Sequence, residues 1–308
     1  MDYKKFIKNR NTRYKILTKF DWVPDRIMLR IQYRLKMGFW PHFRHPKRFT
    51  EKLQLYKMYY HNPIMPLCVE KYNVREYVIK KGLGHILNEC YGVYEKLEDI
   101  DWDRLPNQFV MKKTTGGGGL NVAIIKNKQT HDMKALRNLA FWWTCPRSKN
   151  RSGGREWAYE KILKNRVVFE KLLVDDSNVD GSIEDYKFMC FEGKFKCLWI
   201  DKNRYSNHTR GFWDENLHFL YNVYSDHDTF CEPPLLPANI GEMVKIAEKL
   251  SEDFPYARID LYNIKGAVFF GEITFYPWSG YVKFHPDSFD LQLGSYFNTS
   301  SFYSKISE

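Results

Sequence analysis

Three features of this 308-residue sequence predict an α+β fold. Apolar residues recur at helical spacing through roughly the first eighty positions. From residue 108 onward short strand-like runs take over. The last two runs, 257–262 and 267–275, flank a turn at 263–266 and read as an antiparallel hairpin, not a parallel βαβ unit.

The elements follow in order. Residues 24–37 read as a helix stopped by Gly38 and Pro41. In it Arg26, Arg30 and Arg34 share one face, and Ile27, Met28, Ile31 and Leu35 supply the apolar side. A second helix is predicted over 51–60, with Thr50 as its cap and Leu53, Tyr56 and Tyr60 at helical spacing. A third covers 66–81 and is closed by Gly82. Strands are predicted at 108–112 and 121–126, around a run of glycines, and then a helix at 131–144. The Ser/Gly/Arg-rich stretch 146–155 reads as a loop. Strands at 167–173, 185–191 and 195–201, a helix at 239–251 and the closing hairpin complete the chain. The expected division is a basic, mostly helical region at 1–105, a small glycine-rich unit at 106–165 and a larger unit at 166–308.

Apolar residues make up 44% and charged residues 28%, a globular balance that excludes wholesale disorder. No apolar run reaches the ~18 residues of a membrane span. Lysines interrupt the first twenty positions, so they do not read as a secretory signal. Six cysteines without a Cys-x-x-Cys pair argue against a zinc ribbon or a disulfide framework and predict a reducing, cytoplasmic setting. The net charge of +11 is confined to residues 1–50, which hold 14 Lys+Arg against 3 Asp+Glu. A basic helix there suits an anionic membrane or an acidic polymer, or is simply a solvated face. Nucleic acid is not expected, because no RNA-binding or helix-turn-helix signature accompanies the charge.

Two constellations carry chemistry. In Phe109-Val-Met-Lys-Lys-Thr-Thr-Gly-Gly-Gly-Gly119 an apolar strand ends in lysines and then glycines. Glycines let backbone N–H groups approach phosphate oxygens, and a lysine supplies a point charge. The glycines follow the lysine and lead into a strand, so this is a hairpin flap and not a Walker A loop. In the closing hairpin, alternation puts Arg258 with Asp260, and Glu272 with Thr274, on shared faces. Asp260 and Glu272 then approach each other and need a cation between them, for which Mg²⁺ is suited. A third and weaker set is Glu170-Lys-Leu-Leu173, whose backbone can meet an adenine edge, and Asp185, which can accept from a ribose hydroxyl.

Together these resemble the ATP-grasp superfamily, in which two α+β lobes grip ATP, here preceded by a mostly helical region. More narrowly the chain resembles the TupA-like ATP-grasp family, associated with teichuronopeptide and other bacterial surface-polysaccharide gene sets. The narrower match rests on Pro46-Lys-Arg-Phe-Thr-Glu-Lys52, Glu70-Lys-Tyr-Asn-Val-Arg-Glu76, the Phe109 flap, Arg155-Glu-Trp157, Asp185-Tyr-Lys-Phe188, the segment 254–262 and Gly271-Glu-Ile-Thr-Phe-Tyr-Pro277. The resemblance implies ATP and Mg²⁺ as cofactors. It implies Lys71, on the helix before the flap, and Lys112 as phosphate lysines, and Thr115, Gly116, Gly117, Gly118 and Gly119 as the lid. It also implies Glu170, Lys171 and Leu173 as the adenine hinge and Asp185 as the ribose acceptor. Asp260, Glu272 and Thr274 become metal ligands, and Arg258 and Lys112 the catalytic residues. Lys187 and Arg204 are further phosphate contacts, and Ser279 and Gly280 shape the substrate pocket. Two positions depart from the wider superfamily. Thr274 replaces the asparagine of Glu-x-Asn, and Thr115-Gly-Gly-Gly118 replaces His-Gly-Ser-Gly.

The implied activity is ATP-dependent carboxylate–amine ligation through an acyl phosphate. Its expected partners are an acidic or lipid-linked glycan and an amine, at the inner face of the membrane. A glycan kinase or glycosyltransferase is the rival enzyme, and an ATP-bound scaffold the rival without turnover. The Asp-x-Asp matches at Asp99, Asp101 and Asp103 and at Asp226 and Asp228 follow no apolar strand that would aim them into a cleft.

Overall fold

The computed structural model describes residues 9–116, 121–146, 153–175, 183–202 and 208–303. Two antiparallel sheets dominate. The smaller has the order β1-β4-β2-β3, from β1 (Cys90–Tyr94), β2 (Phe109–Lys113), β3 (Val122–Ile125) and β4 (Val167–Glu170). The larger has the order β7-β6-β5-β8-β9, from β5 (Asp185–Phe191), β6 (Lys194–Lys202), β7 (Thr209–Trp213), β8 (Tyr256–Ile264) and β9 (Ala267–Thr274). The predicted closing hairpin is β8–β9, turning through Lys265 and Gly266, both at positive φ.

Each sheet has its own core. Phe109, Met111, Val167 and Phe169 of the smaller sheet bury against Leu136, Ala140 and Trp143 of α6 (Met133–Thr144). The Asp132 carboxylate caps this helix by accepting from the Ala135 N–H at 2.9 Å. After the single-turn α7 (Trp157–Glu160), the larger sheet buries Phe188, Leu198, Ile259 and Ile273 against Met243, Ala247 and Leu250 of α8 (Ile240–Ser251).

The front of the chain supplies α1 (Arg10–Thr18), α2 (Asp25–Met37) and α3 (Phe49–Tyr59). The helix α3 lies against α9 (Asp287–Tyr296), and its Phe49 and Tyr56 join Tyr256 and Phe297 in edge-on and tilted aromatic contacts. Such pairs are worth about 0.5–1.5 kcal/mol each beyond their burial. Three expectations are corrected here. Thr50 does not cap α3, because the helix begins at Phe49; Thr50 instead donates its N–H and hydroxyl to the Asp290 carboxylate of α9 at 3.0 and 2.6 Å. The cap is made by Glu51, whose carboxylate accepts from the N–H groups of His42, Lys47 and Arg48.

The predicted helix over 66–81 is two helices, α4 (Met65–Val69) and α5 (Val74–Lys80). The Glu70 carboxylate accepts from the Tyr72 and Asn73 N–H groups, at 2.9 and 2.6 Å, and so restarts the helix. Lys71 therefore sits in a turn and not on a helix. The third correction concerns α2. Its buried side is Met28, Leu29, Gln32, Tyr33 and Met37, while Ile27, Ile31 and Leu35 are exposed. Gln32 is tolerated inside because its amide donates to the Gly153 carbonyl at 2.9 Å and accepts from the Tyr281 hydroxyl at 2.8 Å. The strands β1 and β7 and the helix α9 were not anticipated. All six cysteines are free.

The α3–α9 contact depends on one small residue. A Cβ at Gly294 would lie 2.0 Å from the Lys47 carbonyl oxygen and 2.8 Å from the Phe49 nitrogen, both backbone atoms. Gly294→Ala is expected to lower unfolding stability by about 1–3 kcal/mol in a urea titration, the usual effect of overpacking. Gly241→Ala, at a helical position with no atom within 4 Å of the added carbon, is expected to leave it unchanged or raise it.

Candidate functional site

The register of three neighbouring strands lines up Lys187 of β5, Asp260 of β8 and Glu272 of β9 across the larger sheet. Antiparallel partners on the same face bring their side chains together. A bulge follows at once, because Asp260 pairs with Glu272 while Leu261 pairs with Phe270, leaving Gly271 unpaired. A Cβ on Gly271 would lie 2.9 Å from the Asp260 carbonyl oxygen, so this close approach requires glycine.

Arg258, two residues before Asp260 on the same face, ties the row together. Its Nε and Nη2 donate to the two Asp260 carboxylate oxygens, each at 2.6 Å. The same Nη2 donates to Glu272 Oε1 at 2.7 Å and to Thr274 Oγ1 at 3.0 Å. Lys187 donates to Asp260 Oδ2 at 2.8 Å and also pairs with Asp185. Lys71 approaches Glu272 Oε2 at 3.5 Å. The cation lying between the two facing carboxylates is thus the Arg258 guanidinium. Burial pushes the Asp260 carboxyl up to about 6, against the opposing charges of Arg258 and Lys187. At Glu272 burial acts in the same sense but is outweighed. Lys71, Arg258, Lys187 and the Thr274 hydroxyl hold Glu272 well below the usual carboxylate range.

Lys71 also links the two sheets, because its N–H donates to the Thr114 carbonyl just beyond β2, at 3.0 Å. Thr114 in turn donates to the Arg166 carbonyl before β4, and Arg166 pairs with Glu70 at 2.9 Å. On the smaller sheet Lys112 and Glu170 form an ion pair of 2.6 Å. Lys171 has its N–H on the Glu89 carbonyl and its carbonyl on the Asn88 amide. The Leu173 backbone makes no hydrogen bond among the described residues. Thr115 donates to Asn165 at 2.9 Å, and Gly116 closes a turn onto Lys113 at 3.0 Å. Gly117, Gly118, Gly119 and Arg204 lie outside the described residues, as do Arg147, Lys149 and Arg151 of the predicted loop.

Ser279 and Gly280 belong to a turn, Pro277–Gly280, in which Trp278 and Ser279 both hold left-handed backbone angles, with φ of 49° and 56°. Such conformations cost non-glycine residues about 1–3 kcal/mol and need outside support. The support comes from α3. Lys57 Nζ lies 2.7 Å from the Ser279 carbonyl oxygen, 3.0 Å from Ser279 Oγ and 3.1 Å from Gln54 Oε1. Gln54 donates to the Gly280 carbonyl at 2.9 Å. From the other side Trp199 of β6 lies with its ring centroid 4.3 Å from that of Trp278, and Arg258 lies over Trp199 at 4.9 Å. Gln54, Lys57, Trp199 and Trp278 were missed as site residues. Only Gln54 and Lys57 left a signal, as polar residues three apart on an otherwise buried helix face.

The donor set suits a hard divalent cation. Asp260, Glu272 and Thr274 offer oxygens only, and Glu272 is 37% exposed, so one carboxylate faces open space. Among the described residues no group of three or more His, Cys, Asp or Glu side chains is placed to hold a metal ion, so a bound ion would complete its shell with water and phosphate.

The model for TupA-like ATPgrasp matches residues 51–298. The chain belongs to the TupA-like ATP-grasp family. No curated protein matches the sequence. Among solved structures, the D-alanine–D-alanine ligase of Bacillus anthracis is similar at 19% identity and a TM-score of 0.43, over 68% of this chain and 57% of that one. An L-amino acid ligase of Bacillus licheniformis is similar at 15% identity and a TM-score of 0.40, over 71% and 44%. The phosphoribosylamine–glycine ligase of Thermotoga maritima gives 13% and 0.40, over 68% and 48%. The chain thus spans about half the length of these solved relatives.

The lysine beneath the turn supports a pH prediction. Burial pushes the Lys57 ammonium down to about 7, with Glu156 opposing and Lys36 adding to the shift. A neutral amine still satisfies its partners. Its two N–H groups serve the Ser279 carbonyl and Gln54, and its lone pair accepts from the Ser279 hydroxyl. Between the folded value of about 7 and the ordinary 10.5 the unfolded chain binds more protons, so stability rises with pH across that window. Lys57→Met is expected to flatten this rise when urea midpoints are compared from neutral pH upward.

Proposed function

We propose that this chain is an ATP-dependent carboxylate–amine ligase. The smaller lobe, around 106–165 and completed by β1 and β4 of the smaller sheet, and the larger lobe, the remainder of 166–308, grip ATP between them. The observation that carries the reading is the Lys187–Asp260–Glu272 row, bridged by Arg258 and facing Lys71 from the junction with the smaller sheet. Phosphoryl transfer asks a protein chiefly for positioned charges and little covalent chemistry. The row offers charges of both signs and, among its described residues, no Ser or Cys.

Asp260, Glu272 and Thr274 would hold Mg²⁺, which supplies charge neutralisation for phosphate oxygens. Lys71, Lys112 and Lys187, together with the lid residues Thr115 to Gly119, bind phosphates, and Arg204 adds a further contact. The backbone of Lys171 and Leu173 meets the adenine edge beside Glu170, and Asp185 accepts from the ribose. A substrate carboxylate oxygen attacks the terminal phosphorus of ATP and ADP leaves. The amine nitrogen then attacks the acyl carbon, phosphate leaves and the nitrogen sheds a proton. Arg258 neutralises the oxyanion formed at that carbon. Ser279 and Gly280 shape the pocket that receives the carboxylate.

The acceptor we favour is a uronic acid carboxylate on a surface polysaccharide or its lipid-linked precursor, joined to an amino acid or amino sugar. The family's association supports this choice, and a lipid-linked precursor fits the concentration of positive charge in residues 1–50, which suits an anionic membrane. The test is release of ADP and phosphate from Mg·ATP across a panel of uronic-acid glycans crossed with amines. Release is expected only when both partners are present, and Glu272→Ala is expected to reduce it about 100-fold or more. ADP release with phosphate retained on the glycan, and no need of an amine, would make the enzyme a glycan kinase.

The arginine has a separate test. Arg258→Lys keeps a positive charge but loses the fork that meets Asp260 with two bonds. Its kcat is expected to fall about 10²–10³-fold, with a smaller change in the KM for ATP.

A further inference from the structure

We infer that the outer face of α2, with the segments that flank it, is a docking surface for an anionic lipid bilayer. This concerns where the protein works and stands whether or not it is a ligase. The helix turns two parallel rows outward. Ile27, Ile31 and Leu35 recur every four residues and are 52%, 43% and 47% exposed. Arg26, Arg30 and Arg34 run beside them with the same spacing, and all three are exposed. Phe20 and Trp22 stand exposed before the helix, and Trp40 after it. Of the 17 large hydrophobic residues exposed among the described residues, seven fall between residues 16 and 40.

Neither row packs against the body of the protein, and only Arg34 bonds within the fold, donating to the Gly38 carbonyl at the end of the helix. The inward side is filled by Met28, Leu29, Tyr33 and Met37. Like charges four apart weaken a helix in water. Among the described residues no carboxylate lies within ion-pair distance of the three arginines. Exposed isoleucine and leucine gain nothing from an acidic polysaccharide in water, but they gain from hydrocarbon. Arginine beside them meets lipid phosphates, and tryptophan favours the bilayer interface. The pattern is that of a helix lying in the plane of an anionic surface.

The surface is held rigidly to the body of the protein. Arg155 donates to the Phe20 carbonyl at 2.6 Å and pairs with Asp25 at 3.2 Å. Gln32, on the inner side of α2, accepts from the Tyr281 hydroxyl, one residue beyond the turn that carries Ser279 and Gly280. A helix is about 10–12 Å across with its side chains, so docking sets that turn close to the lipid headgroups. A lipid-linked acceptor would meet the site there.

The test is co-sedimentation of the full chain with vesicles of phosphatidylcholine alone or mixed with phosphatidylglycerol. Binding is expected to the mixed vesicles only, and to weaken with added salt. Arg26→Gln/Arg30→Gln/Arg34→Gln is expected to reduce it about 100-fold, at roughly fivefold per arginine lost near the surface. Ile27→Asp/Ile31→Asp is expected to abolish it. The Ile27→Asp/Ile31→Asp variant should keep the wild-type unfolding midpoint, because its altered side chains are exposed, and the arginine variant should lower it only slightly, through loss of the Arg34 bond to the Gly38 carbonyl. The proposal is overturned if the mixed vesicles do not bind. It is equally overturned if the Ile27→Asp/Ile31→Asp variant binds them as the wild type does while soluble polygalacturonate competes, which would make the face a glycan site. A wild-type dimer that this variant converts to monomer in sedimentation would assign the face to a second copy of the chain.

Discussion

The guanidinium of Arg258 lies between two carboxylates that would otherwise face each other across a pair of strands. It is 10% exposed and satisfies Asp260 with two bonds, Glu272 with one and the Thr274 hydroxyl with another. In so sheltered a place charge–charge energies are several times those in water. Removal of one partner would leave the others buried and uncompensated. The geometry of the row follows from this bridge. Asp260 is held inward, Glu272 stays part-exposed with Lys71 near its second oxygen, and the bulge at Gly271 admits the approach of the two strands.

From Arg258 the constraint passes outward through aromatic rings. Trp199 lies under the guanidinium and against Trp278, and Arg210 lies over both rings. Trp278 and Ser279 hold backbone angles that neither residue favours, so the turn depends on this stack on one side and on Lys57 and Gln54 on the other. Strain of this kind gathers where a surface must be held in one shape. The helical front of the chain is therefore part of the site. It supplies the buried lysine under the turn and, through Gln32 and Tyr281, a link from α2 to the same loop.

Much of the larger sheet could be read in advance because strand alternation is a local property. The order Arg258, Asp260, Glu272, Thr274 puts each pair on one face whatever the surroundings, and the hairpin turn pairs them. The break at Lys71 could not be read in this way. Helical spacing continues through 66–81, and the Glu70 carboxylate and the Thr114 carbonyl, the latter brought in from the end of β2, stop the helix there. Likewise α2 offers two apolar sides. The one holding Leu29, Tyr33 and Met37 turns inward because the body of the protein meets it, including the Gly153 carbonyl and Tyr281 that satisfy Gln32.

What the sequence by itself determined was the family, the α+β class, the β2 strand that carries Lys112 and the facing carboxylates, all of which rest on spacing within short segments. Only the tertiary structure decided which cation lies between those carboxylates, which side of α2 is buried and which residues brace the Pro277–Gly280 turn. Each of those depends on groups more than a hundred residues apart, or on the competition between a local charge and an imported one. Spacing along a chain records which residues can share a face, but the partner that face meets is set by packing.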